Sequence, residues 1–260
     1  MSVKQLFDLT GKVALITGGT KGLGLQMAEA LGEQGAKVFI SARNAAEVEQ
    51  VVADLATQGI EAGGIACDMG DLQSNPIGTL VDAVEAKFGT VDILINNAGT
   101  TWGQRAEEHS YEGWQKVMTL NVDVCFLMAQ EVARRFMIPR QSGKIINIAS
   151  IAGLKGNRAN SGIFTVAYNT SKAAAINLTR ALAGEWGAYN INVNAICPGY
   201  FPTKLAKGLE KVTELIKQGT PLGRIGGDED IKGTAVYLAS EASRHVTGQA
   251  IAVDGGNSVV

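Results

Sequence analysis

What most constrains this chain is a recurring pattern: a short apolar run, a turn of small residues, then a stretch with apolar residues at helical spacing. The apolar runs stand at residues 12–17, 37–41, 64–67, 91–96, 144–149, 191–196 and 249–253. Helical patterns occupy 23–34, 45–57, 72–88, 111–138, 168–186 and 228–239, and 203–219 adds a polar helical stretch with glycine and lysine at its edges. Strands alternating with helices throughout predict a parallel sheet covered on both faces, with right-handed crossovers. The expected fold is doubly wound α/β. No internal repeat, low-complexity tract or linker interrupts the pattern, so residues 1–260 are expected to form one domain of about seven strands, with the stretch near 200–220 as a substrate lid.

Composition narrows the partners. The chain is 46% hydrophobic and 18% charged, with a net charge of -2. Its longest basic run is the pair Arg134-Arg135. That gives no electrostatic reason to propose nucleic acid or an anionic membrane, and the expected partner is a small molecule. Cys67, Cys125 and Cys197 are odd in number, widely spaced and set in apolar runs. They read as reduced core thiols, and no metal site is expected. The N-terminus lacks a long apolar segment and no window is apolar enough for a membrane span, so the expected place is the cytoplasm.

The first strand runs into Thr17-Gly18-Gly19-Thr20-Lys21-Gly22-Leu23-Gly24, and a helix follows. Glycines there permit a sharp turn, close approach of a pyrophosphate and tight packing of helix on strand. The spacing departs from Gly-x-Gly-x-x-Gly and is no Walker loop. In a Rossmann-type fold the tip of the second strand usually offers an acidic residue to the adenosine ribose. Here it reads Ser41-Ala42-Arg43-Asn44, and Arg43 together with Lys21 points to a 2′-phosphate, hence to NADP(H) over NAD(H). Asp68 at the third strand's tip either accepts from adenine or caps a turn. After the fourth strand, Asn97-Ala98-Gly99 leaves room for a ribose or nicotinamide against bare backbone.

Three further positions carry chemistry. Asn121 lies mid-helix among Leu120, Val122 and Val124, where its amide must be satisfied by backbone or through a water. Ser150 is delivered at the carboxyl end of a strand, where open α/β sheets bind ligands. Tyr168 and Lys172 are four residues apart in helix-forming surroundings, hence on one helical face. The charge of Lys172 is expected to lower the phenol's pKa.

Taken together, Thr17-Gly18-x-x-x-Gly22-x-Gly24, Asn96-Asn97-Ala98-Gly99, Asn121, Ser150, Tyr168-x-x-x-Lys172 and Pro198-Gly199 resemble the short-chain dehydrogenase/reductase family, in order along the whole chain. The resemblance implies a single Rossmann domain of seven parallel strands, an NAD or NADP cofactor, and a homotetramer or homodimer. It implies Tyr168 as general acid/base, Lys172 as its partner and ribose ligand, Ser150 as carbonyl orienter and Asn121 as anchor of a proton-relay water. It also implies that Thr17, Gly18, Gly22 and Gly24 hold the pyrophosphate, with Thr20, Lys21 and Leu23 completing that loop's contacts. Asp68, with Met69 beside it, would hold the adenine, Asn97, Ala98 and Gly99 the ribose region, and Thr203, after Pro198 and Gly199, the carboxamide. Arg43 resembles the basic residue of NADP-using members.

One feature departs from the family. Ser150 and Tyr168 are eighteen positions apart, so the loop between them is several residues longer than usual and Ser161 is a minor rival for the serine role. That loop is expected either to shape the substrate pocket, with Asn157 or Arg158 meeting polar ends of a substrate, or to form a surface or subunit contact. The resemblance extends to 3-oxoacyl reductases and to gluconate 5-dehydrogenases; the expected function is 3-oxoacyl reductase-like interconversion of a carbonyl and a secondary alcohol, with a gluconate 5-dehydrogenase-like sugar-acid or polyol oxidoreductase as the alternative. Trp102, Phe164, Tyr200, Phe201 and Leu205 are candidate pocket residues. The alternatives of another class are a dinucleotide-binding sensor without turnover and a mononucleotide- or flavin-binding α/β protein.

Overall fold

A computed structural model describes residues 1–157, 162–202 and 213–260. Its frame is a seven-stranded, wholly parallel sheet in the order β3-β2-β1-β4-β5-β6-β7. The strands are β1 (Val13–Thr17), β2 (Lys37–Ala42), β3 (Ala62–Ala66), β4 (Ile93–Asn96), β5 (Gly143–Ile148), β6 (Ile191–Pro198) and β7 (Ala250–Val253). After a short α1 (Val3–Leu6), the helices are α2 (Gly22–Glu33), α3 (Ala45–Thr57), α4 (Pro76–Phe88), α5 (Tyr111–Met118), α6 (Val124–Val132), α7 (Ile138–Arg140), α8 (Val166–Trp186), α9 (Thr213–Gln218) and α10 (Lys232–Ala239).

The apolar runs become strands because both sheet faces are buried. In β1, Ala14 and Ile16 pack with Met27, Leu31 and Leu238 on one side. Val13 and Leu15 pack with Leu80, Val84, Met128 and Leu182 on the other. The strand order turns back between β1 and its neighbour β4, and a crevice opens at such a switch point beyond the carboxyl ends of the strands.

Some expected elements change in detail. The predicted 111–138 helix is continuous but holds two π-helical turns, Thr119–Asp123 and Ala133–Met137. Pro139 does not end it; the wide turn before α7 relieves the i−4 bond that proline removes, and the stop comes at Gln141, whose φ is 53°. The predicted 72–88 helix is broken at Asn75, which takes a left-handed conformation and caps α4 with Pro76 at its first position. Residues 228–231 form turns rather than the start of α10, because Asp230 is held by Arg224 and by the Gly227 amide at 2.7 Å. Of the expected lid, 203–212 lie outside the described residues; α9 is its described helical part.

Candidate active site

Four strand ends meet at the crevice. Thr17, the last residue of β1, accepts hydrogen bonds on its hydroxyl from the Asn97 and Ala98 amides at 3.1 and 3.0 Å. The Asn97 side chain donates back to the Thr17 and Gly18 carbonyls at 3.0 and 2.9 Å. Asn97 therefore braces the glycine loop against the end of β4. In that loop Gly18 and Gly22 have φ values of 68° and 53°, a region that penalises any side chain. A Cβ on Gly24 would fall 2.2 Å from the Gly18 carbonyl oxygen, so the loop closes on the α2 N-terminus only with glycine there. Thr20 is buried and Leu23 packs against the core, whereas Lys21, the N-cap of α2, forms no side-chain cap.

The sequence-predicted catalytic set converges at the carboxyl end of β5. Lys172 is buried, and its ammonium donates to the Ile148 carbonyl at 2.7 Å, at the end of β5. It lies 5.6 Å from the Tyr168 ring centroid, and a Cβ on Gly99 would be 3.5 Å from its Nζ. Ser150 is buried two residues past β5; its hydroxyl accepts from the Ala152 amide at 3.1 Å and acts on the half-buried Tyr168 phenol. Ser150, Tyr168, Lys172 and Gly99 are thus brought together, while Ser161 lies outside the described residues.

The electrostatics differ from the expectation. Burial pushes the Tyr168 phenol above its ordinary value, and the Ser150 hydroxyl only partly offsets it. Lys172 is desolvated as well: burial pulls its ammonium down to about 8. A protonated phenol beside a lysine poised near neutral pH suits a proton donor to a substrate oxygen.

Asn121 sits in the first π turn, buried, and is fully engaged. Its amide donates to the Thr100 carbonyl at 2.9 Å and to the Ser171 hydroxyl at 2.9 Å, and its oxygen accepts from the Thr100 amide at 2.8 Å. Its side chain ties Thr100, which follows the Asn97-Ala98-Gly99 loop, to α8. Ser171 continues the tie by donating to the Tyr168 carbonyl at 2.8 Å.

Other candidates are more dispersed. Arg43 is exposed at the tip of β2, and Lys21 is ion-paired with Glu47 of α3. Asp68 caps its own turn, accepting from the Gly70 amide at 3.0 Å, and the Met69 side chain is buried in the core, leaving only its backbone for a ligand. Pro198 ends β6, and Gly199 is pressed against Asp254, where a Cβ would meet that residue's Cα at 2.8 Å. Thr203 and Leu205 lie outside the described residues. Phe201 is buried in the core against Gly226 rather than lining a pocket, and Tyr200 is half-buried. Trp102 and Phe164 belong to neighbouring segments: Gln104 receives the Trp102 indole N–H at 3.0 Å and donates its backbone N–H to the Phe164 carbonyl at 2.9 Å.

Two networks escaped the sequence reading. Asn147 in β5 accepts from Asn96 at 3.0 Å and donates to Thr179 of α8 at 2.9 Å, locking the sheet to the helix that carries Tyr168. An asparagine amid the isoleucines of β5 was its available signal. Farther out, Lys155 donates to Asn257 Oδ1 at 3.0 Å, Asn169 donates to the Lys155 carbonyl at 3.1 Å, and Thr165 joins Asn157 to Asn169. Nothing local in the sequence marks Asn257.

A family described as enoyl-(acyl carrier protein) reductase matches residues 18–258. The chain belongs to the short-chain dehydrogenase/reductase family. A 2-dehydro-3-deoxy-D-gluconate 5-dehydrogenase of Dickeya dadantii is 42% identical over 257 residues, covering 98% of each chain. A rhamnolipid-biosynthesis 3-oxoacyl-[acyl-carrier-protein] reductase of Pseudomonas aeruginosa is 37% identical, covering 96% of this chain and 97% of the other. The crystal structure of a gluconate 5-dehydrogenase from Burkholderia cenocepacia in complex with NADP and tartrate superposes with a TM-score of 0.92, at 34% identity and 99% coverage of both chains. This short-chain dehydrogenase/reductase is an oxidoreductase that interconverts a carbonyl and an alcohol with a nicotinamide dinucleotide. Its residues fit that cofactor: the Gly18–Gly24 cradle has no room for side chains at Gly24, and the α2 N-terminus carries no side-chain cap that would compete with a pyrophosphate. Among the described residues no helix is long and apolar enough to cross a membrane.

Proposed function

We propose that this enzyme prefers NADP(H) and interconverts a keto sugar acid of the 5-ketogluconate class with its alcohol, with Tyr168 as the acid. The observation that carries the reading is the placing of Ser150 and Tyr168 beside buried Lys172 at the carboxyl end of β5. In reduction Tyr168 Oη gives its proton to the substrate oxygen while the Ser150 hydroxyl donates a hydrogen bond to that oxygen as charge develops. Lys172 holds a positive charge near the phenol and near Gly99, where a ribose would lie. Asn121 holds the Thr100 backbone so that this geometry is fixed before substrate arrives. When bound, the nicotinamide supplies or accepts the hydride. The glycine loop, with Asn97 bracing it, would hold the pyrophosphate, Arg43 and Lys21 the 2′-phosphate, Asp68 the adenine, and the Pro198-Gly199 turn the carboxamide end.

The sugar-acid class is supported by the names of the Dickeya and Burkholderia relatives and by the polar groups of Lys155, Asn157 and Thr165, between Ser150 and the start of α8, and of Asn169 in its first turn. A 3-oxoacyl thioester is the second reading, favoured by the Pseudomonas relative and by half-buried Trp102 and Phe164. We further infer a homotetramer, or else a dimer, working in the cytoplasm as one Rossmann domain; exposed Tyr111 of α5 and Phe126 of α6 offer apolar surface for self-association. The test is a panel of 5-ketogluconate, a 3-oxoacyl thioester and an aryl ketone, each with NADPH and NADH, followed by cofactor absorbance. The highest kcat/KM is expected for 5-ketogluconate with NADPH. Preference for the thioester would select the second reading, and binding without turnover of any would select the sensor.

A further inference from the structure

The two loops that flank the adenosine ribose in a Rossmann fold are joined here by a side-chain pair that neither the fold nor the chemistry requires. Lys21, at the N-cap of α2, is ion-paired with Glu47 in the first turn of α3. Glu47 is placed by Asn44, whose side chain caps α3 by accepting from the Glu47 amide at 3.2 Å. Arg43, one residue earlier, is exposed and, among the described residues, pairs with no acid. Three charges thus border the ribose position beyond β2: one free cation, one engaged cation and one carboxylate.

We propose that Glu47 is a specificity-determining residue that competes with the 2′-phosphate for Lys21. The argument is one of charge. A 2′-phosphate bears close to two negative charges, which Arg43 and Lys21 attract and Glu47 repels. Glu47 also holds the Lys21 ammonium, so full engagement of the phosphate requires Lys21 to leave the carboxylate. A free ribose 2′-hydroxyl has no charge to repel, so the same carboxylate costs NAD(H) little. Glu47 therefore narrows the gap between NADP(H) and NAD(H) from inside a pocket that is otherwise basic. Both side chains are partly exposed, 44% for Lys21 and 35% for Glu47, so water screens the effect to a factor of roughly five to twenty. This rests on the NADP preference proposed above and deepens it.

The test is calorimetric titration of the wild-type protein, Glu47→Gln, Lys21→Met and the double variant with NADPH, NADH, 2′,5′-ADP and 5′-ADP. Glutamine is isosteric and well tolerated in the third position of a helix, and thermal unfolding of each variant checks the fold. Glu47→Gln is expected to tighten NADPH and 2′,5′-ADP about tenfold while NADH and 5′-ADP change less than about twofold. Lys21→Met should cost more NADPH affinity in the Glu47→Gln background than in the wild type, since there Glu47 no longer competes with the phosphate for the ammonium. Equal shifts for both cofactors, no shift, or strict additivity would overturn the proposal. A wild-type protein that binds NADH as tightly as NADPH would overturn the NADP preference instead; a selective gain in Glu47→Gln would still uphold the role of Glu47.

Discussion

At the scale of single residues, Lys172 carries the clearest conflict between stability and chemistry. Burial holds its folded-state pKa down to about 8, below the ordinary lysine value it regains on unfolding. Between those two values the unfolded chain binds a proton that the folded chain has released, so stability rises with pH across that window. Below about pH 8 the fold bears the full cost of a buried cation, partly relieved by the 2.7 Å bond to the Ile148 carbonyl. Lys172→Met should therefore be more stable than wild type at pH 7, by about 1–2 kcal/mol after the unpaired carbonyl is counted. Denaturant unfolding at pH 7 and pH 10 checks this: the advantage should vanish or reverse at pH 10, and a variant less stable at both would contradict it. The spacing of Tyr168 and Lys172 was legible in the sequence as a shared face. The direction of the phenol's shift was not, because burial follows from how α8 packs on β5 and spacing carries no information on desolvation.

At the scale of elements, the long helix spanning α5 to α7 shows how a polar residue is carried inside an apolar segment. Asn121 stood out in the sequence as a poor helix former among aliphatic neighbours. Its place in a π turn was not readable, since the turn answers to Thr100 and Ser171 on other elements. Asn121→Ala leaves the Thr100 amide and carbonyl without partners, and we expect it to lower unfolding free energy by about 2–4 kcal/mol and to reduce kcat, because the Asn97-Ala98-Gly99 loop and α8 lose their tie. Urea unfolding with parallel kinetics measures both. Loss of stability with unchanged kcat would confine the residue to the fold. The glycine turn, by contrast, was legible in full, because backbone geometry there is dictated by residue type; the Asp228–Ile231 turn was not, because Arg224 and Asp230 decide it through a pairing that periodicity does not encode.

At the scale of the whole molecule, alternating strands and helices were enough to give a parallel doubly wound sheet. The crevice then follows from strand order, and the carboxyl ends of β1, β4, β5 and β6 deliver Thr17, Asn97, Ser150 and Gly199 to it. What the sequence kept hidden are the long-range ties, such as Asn96 to Asn147 and Lys155 to Asn257, where residues with no local signal meet only after folding. The central claim is that this assembly makes Ser150 on the β5 side and Tyr168 on α8 act on one substrate oxygen. Its most direct measurement is kcat/KM for NADPH-dependent ketone reduction in wild type, Ser150→Ala, Tyr168→Phe and the double variant, with NADPH affinity measured on each. The account predicts a loss of about 10²–10⁴ for Tyr168→Phe, a double variant scarcely worse than that single one, and NADPH binding within about threefold of wild type throughout. Wild-type turnover in Tyr168→Phe, or losses that multiply in the double variant as if the two hydroxyls acted independently, would contradict it.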